Sequence, residues 1–258
     1  MPAHDPGAPA VVLSPHLDDA VWACFSLLIG EEPLTVATAF AGIPSGTGWW
    51  DERCGITDSA AHVRTRMAED RAVLASLGRE AVHLPLLDGQ YRDDGLDPEE
   101  IVAALTRAVP AASRVYAWAG IGEHPDHELV RDAGLIIARA GVPVTLVTDY
   151  CYSTRHGWPT WVEEPGSTAA DAQWERSIGA AVGNLLRRPR IRRLTAGESD
   201  RKLTAMRGYV TQYENIESEE PRWQADGLPP SDPAKRVIEV FYDLDAPPGG
   251  EMSDSTPP

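Results

Sequence analysis

An α/β fold, with helices on both faces of a mostly parallel sheet, is what this sequence predicts, and three observations predict it. Short apolar runs alternate with longer helix-like runs along the first part of the chain, which is the pattern of successive βαβ units. The helix-like runs carry their own start and stop signals, Asp97-Pro98-Glu99-Glu100 at one beginning and Gly78 and Gly141 at two ends. Two His/Asp clusters each stand directly behind an apolar run, and open α/β sheets bind ligands outside the carboxyl ends of their strands.

Taken in order, residues 11–14 read as a strand. Residues 18–29 read as a helix that is apolar on most sides and therefore buried. Residues 34–40 form a second expected strand, and 57–77 a long helix stopped by Gly78. Residues 81–86 are a third strand. A helix runs from Pro98 to about residue 109, with Asp97 as N-cap, Pro at the first position and acids in the first turn. Residues 114–118 are a fourth strand, 125–140 a helix ended by Gly141, and 142–148 a fifth strand. Beyond Tyr152 the alternation weakens. Residues 157–161 and 163–167 read as loop, 169–186 and 201–213 as helices, and 237–244 as a late strand. The basic run Arg187-Arg188-Pro189-Arg190-Ile191-Arg192-Arg193 is expected to cap a helix end or lie in a solvated loop. Residues 246–258 are rich in Pro, Gly and Ser and are expected to be disordered. The expected organisation is one domain over 1–245, with 152–200 as a divergent segment that shapes the substrate pocket.

Bulk properties exclude several functions. A formal net charge of -16 argues against a nucleic-acid binder, which presents a basic face to the phosphate backbone. No apolar stretch is long enough to span a bilayer. The start, Met1-Pro2-Ala3-His4-Asp5-Pro6, lacks the basic region and apolar stretch of a secretory signal. Cys24, Cys54 and Cys151 are scattered, and their odd number suits a reducing compartment. The expected location is the cytoplasm; the sequence leaves oligomeric state open.

The chemistry lies in the two clusters, Ser14-Pro15-His16-Leu17-Asp18-Asp19 and His124-Pro125-Asp126-His127. Each alone has an ordinary structural explanation, a helix N-terminus with a cap and dipole-favoured acids. Together, both at strand exits, they supply what a hydrolytic Zn²⁺ site needs: about three protein ligands and an open position for water. His16 and Asp19 can turn to one point across a strand-to-helix turn, and His127 is the natural third ligand. Asp18 then remains beside the metal, where a general base belongs. His124, protonated, could hold the oxyanion or protonate the leaving amine. Asp126 could fix His124 in one tautomer.

At these residues the chain resembles the PIG-L / LmbE-like deacetylase family, whose members pair a His-Pro-Asp-Asp-type motif with a His-Pro-Asp-His-type motif. The resemblance extends to Arg66-x-x-Glu69 followed by Leu77-Gly78, and to Lys202-x-x-Ala205 with Tyr209 and Gln212. It is good from about residue 9 to 150 and patchy afterwards. It implies a Rossmann-like three-layer αβα sandwich without dinucleotide and a Zn-dependent N-deacetylase or amidase, often acting on N-acetylglucosaminyl compounds. It places His16, Asp19 and His127 as ligands, Asp18 as base, and His124 with Asp126 as catalytic assistants. Leu17 and Ala20 depart from the usual Pro and Glu, neither of them a ligand position. Gly122 stands where some members have a mobile Tyr.

The implied substrate is a small-molecule N-acylated sugar or glycoconjugate. Trp49, Trp50 and Arg53, in a loop at the same end of the sheet, are expected to form a pocket wall, with Arg66 reaching a substrate hydroxyl or phosphate. Trp158 and Trp161 are further wall candidates, and Tyr91 and Arg92 are additional site candidates. His62, His83 and His156 read as structural or solvated, and Cys54 lacks the surroundings of a nucleophile. Two rivals remain: an amidase acting on a larger conjugate by the same chemistry, and a non-catalytic metabolite-binding protein whose motif residues only cap helices.

Overall fold

The computed structural model describes residues 1–93, 95–149, 157–163, 166–183, 185, 187–213 and 237–244. The chain opens with a two-residue strand, β1 (Ala3–His4), and then enters the sheet through β2 (Ala10–Ser14), which is buried along its whole length. α1 (Asp19–Ala23) and α2 (Phe25–Leu28) follow, then β3 (Leu34–Thr38) and the short α3 (Trp49–Arg53). α4 (Ser59–Ser76) is capped by Asp58, which accepts from the N–H of Ala61 at 2.8 Å. After β4 (Glu80–His83) come a single 3₁₀ turn (Gly89–Tyr91) and α5 (Pro98–Ala108), begun by the expected capping box of Asp97 and Glu100. β5 (Ala111–Ala112) pairs with β1, while β6 (Val115–Trp118), α6 (Pro125–Arg139) and β7 (Val144–Val147) complete the parallel part. α7 (Thr168–Val182), β8 (Arg187–Arg193), α8 (Ala196–Met206) and β9 (Ile238–Leu244) finish the described chain.

The main sheet has the strand order β4-β3-β2-β6-β7-β9-β8. The first five strands are mutually parallel, and β9 runs antiparallel to both of its neighbours. The α/β class and the mostly parallel sheet are therefore as expected. Chain direction across the sheet reverses at β2, because β3 and β4 lie on one side of it and β6 and β7 on the other. That reversal opens a crevice between the carboxyl ends of β2 and β6, the place where such sheets take ligands. Both His/Asp clusters leave from these two strands. Helix α6 approaches β6 closely enough that a Cβ on Gly134 would stand 2.6 Å from the Cβ of Ala117, so the second cluster is seated firmly over the sheet.

Several boundaries differ from expectation, each for a physical reason. The helix expected over 18–29 is broken at Cys24, because the N–H of Ser26 donates to the carboxylate of Glu239 at 3.1 Å instead of continuing the helical ladder. The Arg-rich run is neither a cap nor a solvated loop. It is edge strand β8, paired along its length with β9. Pro189 and the Arg side chains make it a poor template for further strands, and Arg187 and Arg192 pair with Glu175 and Glu198. Helix α8 starts earlier than expected, at a capping box of Thr195 and Glu198. β1, β5 and α3 had no sequence signal long enough to read. The tail 246–258 lies outside the described residues. Among the described residues no helix is long and apolar enough to cross a membrane.

Candidate metal centre

The turn from β2 into α1 sets the first half of the site. Asp18 occupies the N-cap position of α1, yet its carboxylate makes no capping bond. Asp19 turns back instead, and its Oδ2 accepts from the backbone N–H of His16 at 3.0 Å and lies 3.0 Å from His16 Nδ1. The same oxygen is 3.3 Å from His127 Nε2, at the start of α6. The capping explanation therefore fails for the first cluster. It holds for one residue of the second, since His124 is the N-cap of α6 and its Nδ1 accepts from the N–H of Asp126 at 3.2 Å.

The donor atoms of His16, Asp19 and His127 all lie within 4.8 Å of one another. Ligand atoms bound tetrahedrally to Zn²⁺ at 2.0–2.1 Å are about 3.3 Å apart, close to the 3.0 and 3.3 Å between the Asp19 oxygen and the two imidazole nitrogens. Two imidazole nitrogens and a carboxylate oxygen are also the right chemistry for that ion. Each histidine has a second carboxylate on its other nitrogen. Asp149 Oδ2 lies 3.0 Å from His127 Nδ1, both residues fully buried, and Asp126 Oδ2 lies 3.1 Å from His16 Nε2. Carboxylates at that remove orient metal-binding histidines and raise their basicity. A second compact trio exists, His16 with His124 and Asp126. Its carboxylate is already paired with Arg92, and a guanidinium beside it disfavours a further cation, so the first trio is the one that fits.

Electrostatics agree. Burial alone would depress both histidines, but Asp126 and Asp19 hold His16 well above its ordinary range, and Asp19 with Asp149 raises His127 to about 9. A negative potential that draws protons onto two imidazoles is one that attracts a divalent cation. Asp19 is pulled well below the usual carboxylate range by His127 and His16, against the effect of its burial. Asp18, only 7% exposed, is pushed up to about 6 by burial, with the Arg66 guanidinium 3.7 Å away acting in the opposite direction. A buried carboxyl in that range can both take and return a proton near neutral pH.

His124 and Asp126 differ from expectation in detail. Burial, then the positive neighbours His16 and His127, lower His124 to about 3. That direction favours the neutral imidazole, with Nδ1 accepting from the backbone N–H of Asp126, over the protonated form expected. The carboxylate of Asp126 does not serve His124 through this contact. Its bonds go to His16 Nε2, to the N–H of Gly89 at 2.9 Å and to Arg92.

On the substrate side, Arg66 lies in the site and faces Asp18. The nearby acids on its own helix are engaged elsewhere, Glu69 with Thr211 and Asp70 with Tyr209 and His83. Trp49 is 65% exposed and packs edge-on against Trp50, with the ring centroids 5.7 Å apart. Arg53 is exposed and stacks over Trp50. Their helix, α3, is docked on the 88–92 turn: Gln90 accepts from the N–H of Asp51 at 3.2 Å, and Tyr91 donates its hydroxyl to Asp51 at 2.6 Å. Trp158 is a buried core residue against Trp174, while Trp161 is 41% exposed at the far edge of the sheet beside Tyr242. His83 is structural, as expected, through Asp70. His156 and Cys151 lie outside the described residues. Sequence reasoning missed Asp149 and Asp88. Each is a single acid after a strand with no motif around it, and only its position at a strand exit could have singled it out.

The molecule is thus a Rossmann-like sandwich with a His/Asp cluster, able to hold a cation, where chain direction reverses in the sheet. Residues 11–138 match the family described as PIG-L: GlcNAc-PI de-N-acetylase, and over that span the chain belongs to the PIG-L family. Solved structures share its fold. A deacetylase of the teicoplanin biosynthetic pathway, in a triple-mutant form, is 23% identical, with 93% of this chain and 99% of that one covered and a TM-score of 0.64. The A40926 pseudoaglycone deacetylase is 24% identical over 94% and 99%, with a TM-score of 0.62. The N,N'-diacetylchitobiose deacetylase of Pyrococcus horikoshii is 14% identical over 92% and 84%, with a TM-score of 0.52. No curated protein matches the chain.

Proposed function

We propose that the protein is a Zn²⁺-dependent hydrolase that removes an N-acyl group, most simply N-acetyl, from an amino sugar or a glycosylated small molecule. The observation that carries this reading is the meeting of His16, Asp19 and His127 within 4.8 Å, across more than a hundred residues of chain, with a buried carboxyl next to them. The family match and the deacetylase names of the similar structures support the choice of an N-acetyl amide.

His16, Asp19 and His127 would hold the cation, which when bound supplies Lewis acidity to water and to the amide carbonyl. Asp18 removes the proton of the attacking water. His124 donates Nε2–H to the carbonyl oxygen as negative charge grows there, without changing its own protonation state. Asp18 then returns the proton to the departing nitrogen, so that one water is consumed and an acid and an amine are formed. Arg66 keeps Asp18 ionised before the reaction. Trp49 and Trp50 form the outer wall, where an aromatic face can lie against a sugar ring or an apolar aglycone. The segment 152–200 contributes the remaining specificity.

The test is a screen of N-acetylated amino sugars and glycoconjugates with Zn²⁺ supplied, read as acetate released, with cation content measured on the same protein. The expected result is one tightly bound cation per chain and acetate release. In Asp18→Asn the cation is kept and turnover falls by about 100-fold or more. A protein without affinity for Zn²⁺, or an Asp18→Asn variant with unimpaired turnover, contradicts the reading. Release of a larger acid in place of acetate moves the assignment to an amidase of larger conjugates.

A further inference from the structure

The turn that follows β4 reaches into the cation site. Asp88 Oδ2 lies 3.7 Å from His16 Nε2. Gly89 gives its N–H to Asp126 Oδ2 at 2.9 Å, and Asp126 Oδ2 is in turn 3.1 Å from His16 Nε2. Arg92 pairs with the other oxygen of Asp126, donates to the carbonyl of Leu87 at 2.8 Å, and lays its guanidinium 4.8 Å from the centre of the Phe40 ring. Phe40 also packs against His16 itself, with the centroids 5.9 Å apart. The guanidinium is thus held on three sides, and the carboxylate it grips is almost fully buried.

Ionised carboxylates only accept hydrogen bonds. With Asp126 and Asp88 both facing Nε2, that nitrogen carries a hydrogen, and Nδ1, facing the Asp19 oxygen shared with His127, is the atom offered to a cation. We propose that Arg92 is a positioning residue. Acting through Asp126, it fixes the His16 ring with Nε2 protonated and Nδ1 turned to the cation. Removing its guanidinium would leave the buried carboxylate free to swing away, and the ring would lose the partner that sets its tautomer. Gly89 belongs to the same device. A Cβ there would stand 3.0 Å from Asp126 Oδ1 and 3.3 Å from Oδ2, so any side chain crowds the carboxylate and makes it shift slightly.

This inference rests on the cation site proposed above, and its test separates the two. Zn²⁺ affinity is measured by chelator competition on the full chain, for wild type, Arg92→Gln, Arg92→Lys and Gly89→Ala. The ring nitrogens of His16 are observed by ¹⁵N NMR in the Zn²⁺-loaded wild type. The expected result is a loss of affinity of about 10- to 100-fold in Arg92→Gln. Arg92→Lys, which keeps the charge but not the planar fork, falls in between, and Gly89→Ala shows a smaller loss. The wild-type spectrum is expected to show His16 ligated through Nδ1 with hydrogen on Nε2. A role in packing alone would lower thermal stability and leave affinity and tautomer unchanged. Wild-type affinity in Arg92→Gln, or ligation of His16 through Nε2, overturns the proposal, and the spectrum decides even if that variant does not fold. A wild type that binds no Zn²⁺ sinks both this proposal and its parent, whereas normal wild-type binding with an unaffected Arg92→Gln sinks this one only.

Discussion

Asp18 and Asp19 are adjacent in the chain and opposite in behaviour. Asp19 lies between two histidines and is held ionised, whereas Asp18 is buried with one guanidinium at 3.7 Å and is raised to about 6. In the proposed mechanism, two carboxyls driven apart in this way would divide the work of ligand and proton carrier between them. The sequence singled out both residues, because the motif is local and stands at a strand exit. It did not show what tunes them. Arg66 lies 48 positions from Asp18, and Asp149 and Asp88 carry no motif at all. The sign of the Arg66 effect gives a measurable consequence. Its positive charge favours ionised Asp18, so replacing it raises the proton affinity of that carboxyl. The acidic limb of kcat/KM, expected at or below about pH 6 in the wild type, should move up by about one pH unit in Arg66→Met. A profile that stays in place, or moves to lower pH, would show that the pair does not operate in the working enzyme.

Helices and strands were legible where period and punctuation agreed. α5 begins at its capping box, and α6 ends before Gly141, which has a φ of +91°. The failures came where a distant partner overrode the local pattern. Glu239 of β9 takes the N–H that would have continued α1 into α2, and pairing with β9 turns an Arg-rich stretch into an edge strand. The segment after α8 shows how far such long-range contacts matter for the site. Tyr209 donates to Asp70 at 2.9 Å, and Thr211 reaches Glu69 at 2.7 Å, so that two successive residues of α4 are gripped one turn from Arg66. At Gly208 the backbone passes so close to α4 that a Cβ would meet the side chain of Val73. Asp70 is buried and has His83 as its other partner, at 2.8 Å. Tyr209→Phe should therefore cost about 1–2 kcal/mol in urea unfolding and leave Zn²⁺ affinity unchanged, since none of these contacts touches His16, Asp19 or His127. A variant of undiminished stability would mean that the hydroxyl does not hold α4.

At the level of the whole molecule, the sheet brings two distant pieces of sequence to one point, and it does so because chain direction reverses at β2. This convergence was legible in advance, since strand-helix alternation fixes where strand exits lie and both clusters stood at such exits. The linkage between protons and cation that follows from it was not, because it depends on how deeply His16 and His127 are buried among carboxylates. Both are raised above their unfolded value of 6.5, His127 to about 9. In the metal-free protein their protonated forms stabilise the fold fully below pH 6.5, and this contribution is lost as pH rises through about 9. Zn²⁺ requires the same nitrogens bare, so its binding releases protons and strengthens as pH rises across that window. Thermal unfolding at a fixed, chelate-buffered Zn²⁺ activity should therefore show two opposite trends between pH 6.5 and about 9. The metal-free Tm should fall, while the increment produced by Zn²⁺ grows. Saturation at about 100 times Kd is worth about 2.7 kcal/mol, or roughly 5–10 °C for a chain of this size. An increment that is largest at the acid end, or does not vary with pH, would place the cation on groups other than these two histidines.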